Sequence, residues 1–211
     1  MNDSILSLWP RLQHLDLTGF SLPLEIPPFI SPSLVSLTIA TDEATDLLTL
    51  LHSSTTTLTH LSLELALYAY STEEIDNLEL SLKACTKLVD LRYCEAPDRR
   101  SQLFMESILS SLPLLQTLTI SSMHFPRPSK FLPYLPLLHT LSVWQPRESL
   151  AFVAQLADWL ETNPEGGCGG LKEVEILNYH PELHRFPVDI ERVCREVGLG
   201  YKIEKDFRSL V

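Results

Sequence analysis

The chain has 211 residues, 45% of them hydrophobic, so it holds enough apolar material for a substantial core and is not a disordered segment. Its 16 Lys and Arg residues stand against 27 Asp and Glu residues, a formal net charge of −11. Proteins that follow a phosphate backbone rely on a basic face, and an anionic lipid surface attracts the same charge. We therefore expect neither a nucleic-acid nor a membrane partner.

The N-terminus and the cysteines predict a protein of the cytoplasm or nucleus. The first residues include Asp3 and no basic cluster, which is atypical of a secretory signal. The uncharged stretch 107–126 contains two prolines and many Ser and Thr residues, and predicts a helix end, a turn and a strand rather than a membrane span. Four cysteines without two-residue spacing predict reduced thiols rather than a zinc knuckle or a disulfide framework. They are Cys85, Cys94, Cys168 and Cys194.

The dominant pattern is an apolar-x-x-apolar-x-apolar triplet that recurs seven times in a chain with 42 leucines. The triplets are Leu12-Leu15-Leu17, Leu34-Leu37-Ile39, Leu58-Leu61-Leu63, Leu88-Leu91-Tyr93, Leu115-Leu118-Ile120, Leu138-Leu141-Val143 and Leu171-Val174-Ile176. Alternation puts the second and third apolar residues of each triplet on one face of a strand. The pattern predicts strands near 12–18, 34–40, 58–64, 88–94, 115–121, 138–144 and 171–177.

Segments with helical spacing lie between these predicted strands. They cover residues 42–52, 72–85, 100–112, 147–161 and 189–197. Ser71 followed by Glu74 has the spacing of a capping box at the start of the second segment. Strand and helix in regular alternation predict an α/β fold, with a parallel sheet lined on one side by helices, in a single domain over 1–211. The tail near 201–204 predicts an eighth edge strand, within a C-terminal cap of about 186–211.

The run Leu-Thr-His-Leu-Ser-Leu at 58–63 and its six counterparts resemble leucine-rich repeats, whose period of roughly 20–29 residues includes the mean spacing of about 26 here. Irregular periods, Pro-rich linkers and Ser/Thr-rich helix ends are most similar to the repeat regions of fungal F-box proteins. The resemblance implies a solenoid of about seven irregular repeats, with a curved parallel sheet on the concave side and helices on the convex side.

The same resemblance implies a non-catalytic protein–protein recognition module of unknown partner, the substrate-binding part of a ubiquitin-ligase adaptor. No F-box helix bundle precedes the repeats in this sequence, so ligase components are expected as partners only if an F-box lies upstream of Met1. The alternatives within the same class are a free-standing scaffold and a truncated paralogue.

The concave sheet face is the predicted partner-binding surface, because repeat solenoids commonly bind through it. The predicted site residues on this face are His14, Asp16, His60, Glu64, Asp90, Arg92, Trp144, Glu173 and Glu175. Arg92 and Trp144 are the expected anchors, since Arg and Trp are enriched in binding hot spots. An isolated guanidinium can recognise a carboxylate or phosphate of the partner. The alternative is a solvated face on which Arg92 merely neutralises Glu64.

Strand spacing argues against a nucleophile triad on this face. The candidates are His14, Asp16 and Ser62, and a triad needs its members in hydrogen-bond contact. Ser62 is predicted two strands from His14, roughly 10 Å away, and about 6.6 Å from His60 along one strand. We therefore expect no catalytic residue and no enzyme activity.

A metal or cofactor site is not expected either. The candidate zinc ligands are Cys168, His180, His184 and Cys194. Pro181 separates the two histidines and both cysteines lie at least ten residues from them, so these residues lack the compact spacing of a zinc site. The Gly-rich run at 166–170 lacks the Lys-Ser/Thr of a phosphate-binding loop.

Overall fold

The computed structural model describes residues 12–18, 33–42, 44–95, 100–121, 126–144, 146–163, 170–179 and 190–205. In this part of the chain strands alternate with helices. The strands are β1 (His14–Leu17), β2 (Ser36–Thr41), β3 (His60–Leu65), β4 (Asp90–Glu95), β5 (Thr117–Ser121), β6 (Thr140–Trp144), β7 (Glu173–Tyr179) and β8 (Gly200–Lys205). The helices are α1 (Ala44–Ser54), α2 (Thr72–Ala84), α3 (Ser101–Leu109), α4 (Pro128–Phe131), α5 (Pro146–Thr162) and α6 (Ile190–Glu196). Two 3-10 turns cover Leu67–Ala69 and Leu132–Tyr134.

The eight strands form one sheet, ordered β1 to β8 along the chain, and every neighbouring pair is parallel. The seven predicted strands are confirmed, and each begins two residues after the first apolar residue of its triplet. The predicted eighth edge strand is confirmed as β8. The helices provide the return connections that parallel neighbours require.

One backbone contact recurs where each strand enters the sheet. The carbonyl oxygen of Gln13 accepts hydrogen bonds from the N–H groups of Val35 and Ser36, at 2.8 and 3.0 Å. The same two-donor arrangement recurs at the carbonyl oxygens of Val35, Thr59, Val89, Gln116 and His139. Because each acceptor follows the first apolar residue of its triplet, all these strands enter the sheet in the same register.

The core lies between the sheet and the helices. In β3, Leu61 and Leu63 are 2% and 1% exposed, whereas Ser62 between them is only half-buried. The buried leucines pack in one cluster with helix residues such as Leu50 of α1 and Leu78 of α2. Burial of a leucine side chain contributes about 1.5–3 kcal/mol, so each triplet adds strongly to folding. The second and third triplet positions therefore face the helices.

Local signals fix two helix ends. Ser71 caps α2: the Glu74 N–H donates to the Ser71 hydroxyl at 3.3 Å, and the Ser71 N–H donates to Glu74 Oε2 at 2.8 Å, which confirms the predicted capping box. At the end of α6, Gly198 has a φ of 77°, a left-handed value that favours glycine. The Leu199 N–H then donates to the Cys194 carbonyl at 2.8 Å, which closes the helix as a Schellman motif.

The five predicted helices are present, and their ends differ from the predicted ones by at most three residues. The α4 helix and the 3-10 turns were not predicted. α4 has four residues, which is too short to show helical periodicity, and it begins at Pro128, whose missing N–H costs nothing at a first helical position.

Parts of the predictions lie outside the described residues. These parts include the N-terminal segment 1–11, most of the first Pro-rich linker, the Gly-rich run 164–169 and the cap residues 186–189 and 206–211. Within the described ranges, no helix combines the length and apolar character needed to cross a bilayer. No three His, Cys, Asp or Glu side chains come together there as a metal site. Cys168, His180 and His184 fall outside those ranges.

Candidate functional site

The open face, meaning the sheet face directed away from the helices, carries three rows of side chains set by the strand register. The first row is His14, Ser36, His60, Asp90, Thr117, Thr140 and Glu173. The second row is Asp16, Thr38, Ser62, Arg92, Thr119, Ser142, Glu175 and Lys202. The third row includes Ala40, Glu64, Cys94, Ser121, Trp144 and Leu177. The nine predicted site residues all lie in these rows.

A depression of about 280 Å³ lies on this face across β2, β3 and β4. Its polar lining consists of Ser36, Thr38, His60, Ser62, Asp90 and Arg92. His60 and Asp90 are register partners on adjacent strands. The His60 ring is held by a 2.8 Å hydrogen bond between Nδ1 and the Thr59 hydroxyl, so Nε2 is the ring nitrogen left for a ligand. His60 and Asp90 occupy equivalent positions in their triplets, so the sequence pattern implies that they are neighbours, but it does not indicate the depression.

The Asp90 carboxyl is half-buried at the edge of this depression. Burial raises the pKa of Asp90 above its ordinary value, and the nearby His60 opposes this effect on the pKa only in part. Asp90 forms no ion pair with any Lys or Arg side chain in the described part of the chain. A partly desolvated carboxylate without a cationic partner destabilises the folded protein, because burial disfavours its charged form.

Replacement of Asp90 by Asn should stabilise the fold at pH 7. A raised pKa in the folded state means that the protonated carboxyl contributes stability that is lost as pH rises through the raised pKa. The melting temperature of Asp90→Asn should therefore exceed that of the wild type at pH 7, and the difference should shrink as pH falls toward 3.8, the ordinary pKa of Asp. Thermal unfolding followed by circular dichroism measures the melting temperatures of the wild type and of Asp90→Asn at each pH.

The control for this change is Asp76→Asn, which removes an exposed carboxylate from α2. It should leave the melting temperature nearly unchanged at both pH values. A lower melting temperature of Asp90→Asn at pH 7 would show that the Asp90 carboxylate makes a favourable contact in the folded protein.

Arg92 and Trp144 form a stacked pair across the middle of the open face. The Arg92 Cζ lies 4.1 Å from the centroid of the Trp144 ring, which is cation–π geometry. The two residues stand on β4 and β6, about 10 Å apart by strand spacing, so the Arg92 side chain crosses β5. Arg92 is exposed and Trp144 is half-buried beneath it. The indole Nε1 is buried and, among the described residues, has no hydrogen-bond partner.

The alternative interpretation, in which Arg92 neutralises Glu64, is wrong, because the described residues show no ion pair between them. The sequence-based interpretation considered side-chain contacts between adjacent strands only, and it therefore missed a contact between side chains that stand two strands apart. A signal was present: Thr119 and Ser121 on the intervening strand are short side chains, and they leave room for a long one to pass over them.

Glu175 forms a hydrogen-bonded group with its neighbours in the second row. Its Oε2 accepts from the Ser142 hydroxyl at 2.7 Å, and its Oε1 pairs with the Lys202 ammonium at 3.1 Å. Burial raises the pKa of Glu175, but the hydrogen bonds from Ser142 and Lys202 and the Lys202 charge outweigh it and hold the pKa below its ordinary value. Lys202 of β8 is a second basic residue in this row, and it was not among the predicted site residues.

The remaining predicted residues stand apart from the stacked pair. Asp16 accepts hydrogen bonds from the Thr18 hydroxyl and from the Thr18 N–H, and these bonds lower the pKa of Asp16. His14 is exposed on the same edge strand, three strands from Arg92 or about 14 Å by strand spacing. Glu173 lies equally far on the other side, on β7. The structure thus brings together His60 with Asp90 and Arg92 with Trp144, but not the nine residues as one cluster.

Comparisons with known proteins give no family. No protein-family model matches the sequence, and a search of curated proteins finds no significant match.

Proposed function

We propose that this chain is a leucine-rich-repeat protein that recognises a partner protein through the open face of its sheet. The observation that carries the proposal is the open face itself: it is broad, polar and free of covering helices in the described part of the chain. A core formed by one sheet face and the helices leaves the other face for binding, as in repeat proteins that use an extended surface. In this proposal the open face is the concave side of a solenoid.

The Arg92–Trp144 pair is the proposed anchor of the binding surface. The few residues that contribute most of the binding energy of an interface are enriched in Arg and Trp and cluster near its centre. The stack also restricts the Arg92 side chain before binding, which lowers the conformational entropy lost on association. The pair lies near the middle strands of the sheet, where a partner that covers the open face would bury it most fully.

Removal of the guanidinium tests this proposal. The native partner is first identified by affinity purification of the tagged chain from its own host with mass spectrometry, and its binding to variants is then titrated. Arg92→Ala should leave the melting temperature nearly unchanged and weaken partner binding at least about tenfold, or 1.4 kcal/mol. The expected loss reflects both the removed guanidinium and the exposed, poorly packed Trp144.

Arg195→Ala is the matched control, since Arg195 is a highly exposed arginine on α6, away from the open face. It should change partner affinity by less than about twofold. Unchanged affinity in Arg92→Ala together with a loss in Arg195→Ala would move the binding site to the helical side.

The ubiquitin-ligase version of this function is supported only by the resemblance to fungal F-box proteins. It predicts that a Skp-type adaptor and a cullin co-purify with the protein and bind it directly. A free-standing scaffold predicts partner binding without either component.

A further inference from the structure

We infer that the open face binds a basic, extended segment of the partner, and that a lysine or arginine side chain of this segment occupies the depression at Asp90. The inference rests on the proposed function and names the chemistry of the partner that this surface would recognise.

The charge of the open face is the first argument. Among its side chains that the structure describes, and with His14 and His60 counted as neutral, five carboxylates stand against two cations. The carboxylates are Asp16, Glu64, Asp90, Glu173 and Glu175, and the cations are Arg92 and Lys202. Lys202 pairs with Glu175, and Arg92 lies over Trp144, so the other four carboxylates are left without an ion pair within the described residues. A cationic segment complements this surface.

The depression supplies acceptors for one cationic side chain. Asp90 offers a carboxylate on β4, Ser62 offers a hydroxyl oxygen on β3, and Ser36 and Thr38 offer hydroxyl oxygens on β2. In the described part of the chain, none of these three hydroxyls hydrogen-bonds to a protein atom. An ammonium or guanidinium group donates three to five hydrogen bonds and accepts none, so it matches a depression lined by a carboxylate and hydroxyl oxygens. Burial of Asp90 would then be offset by the ligand's charge.

The position of Arg92 argues against an anionic ligand in the same place. Arg92 is one of the lining residues, but its guanidinium stacks on the ring of Trp144 from β6 and is therefore directed away from β2 and β3, which carry most of the depression. A carboxylate or phosphate placed there would face the Asp90 carboxylate directly. Like charges at such distances repel, and a phosphate with nearly two charges would be disfavoured most.

The spacing of the carboxylates fits an extended segment. Asp90 and Glu64 stand on adjacent strands and two rows apart, which places their Cα atoms about 14 Å from each other. Four residues of extended chain cover nearly the same distance, about 13 Å. Two basic residues four positions apart in a partner segment would therefore reach both carboxylates.

The test uses fluorescence anisotropy with the whole chain and two labelled probes, a peptide of alternating lysine and serine and its glutamate–serine counterpart. The lysine probe should bind at physiological ionic strength, and the glutamate probe should not. The double variant Glu64→Gln/Asp90→Asn should weaken lysine-probe binding at least about fivefold. The matched control, Glu73→Gln/Asp76→Asn on the exposed surface of α2, makes the same change in net charge and should weaken it by less than about twofold.

Equal weakening by the two double variants would overturn the inference, because the probe would then sense only the net charge of −11. Absence of lysine-probe binding would overturn it as well. Binding of the glutamate probe that is reduced by Arg92→Ala would overturn the inference of a basic ligand, but it would still be consistent with partner binding at the open face. Failure of the proposed function is a separate result, namely partner binding that is insensitive to every open-face variant but lost in Arg195→Ala.

Discussion

Leu61→Ala, Leu118→Ala and Leu141→Ala should each lower the free energy of unfolding by about 2–5 kcal/mol. The three leucines occupy the second position of their triplets, and they are 2%, 0% and 0% exposed. Truncation removes buried methyl groups and leaves a cavity that the neighbouring strands and helices cannot fill completely. Urea denaturation followed by circular dichroism measures the loss.

Ser62→Ala and Thr119→Ala are the internal controls, because they truncate the next residue in β3 and β5, on the open face. Each should cost less than about 0.5 kcal/mol. If the serine and threonine changes proved more destabilising than the leucine changes, the strands would be out of register by one residue and the open face would be the core.

Gly170→Ala should be the most damaging glycine substitution in the described part of the chain. A Cβ at Gly170 would lie 2.5 Å from the Pro136 carbonyl oxygen and 3.1 Å from that of Leu138. Both are backbone atoms of the turn before β6, so the chain must shift to relieve the overlap. Forced overpacking of this kind costs about 1–3 kcal/mol.

Gly200→Ala serves as the comparison, because its added Cβ would come no closer than 3.2 Å to backbone, at the Lys172 carbonyl oxygen. Urea denaturation should show a clearly smaller loss of stability for Gly200→Ala than for Gly170→Ala. Equal losses would mean that the turn at Gly170 is looser in solution than in the structure.

The strands were predictable because the information that sets them is local. A residue between two core leucines in an extended segment must point away from the core, so Ser62 on the open face follows from Leu61 and Leu63 alone. Stacking of equivalent triplets then sets which residues are neighbours across strands. His60 beside Asp90 follows from this step without any knowledge of side-chain conformation.

The Arg92–Trp144 pair was not predictable by the same reasoning. The strand register identifies the nearest neighbours of a residue. A long side chain such as that of Arg92 can reach several partners, and which one it contacts depends on the space above the neighbouring side chains and on the cost of desolvating its charge. Nearest-neighbour reasoning favoured Glu64, because opposite charges attract. The structure instead has the guanidinium over the indole ring, where a flexible, weakly hydrated cation meets a large apolar surface.

Lys202 was not predicted to lie on the open face, for a different reason. The tail of the chain has no leucine triplet, so the strand register there could not be extended from the repeats. Once β8 is paired with β7, Lys202 falls opposite Glu175 and joins the second row. The depression could not be predicted from the sequence either. Arg92 is one of its lining residues, and the direction of this long side chain is set by its contact with Trp144 rather than by the strand register.

The central claim is that a partner protein lies on the open face, and site-specific photocrosslinking tests it most directly. A photoreactive amino acid is placed at Thr117, in the first row of the open face, or at Leu80, which is 65% exposed on α2. After irradiation with the purified partner, we expect a crosslinked product from the Thr117 position and none from Leu80. Crosslinking from Leu80 alone would contradict it and place the partner on the helical side.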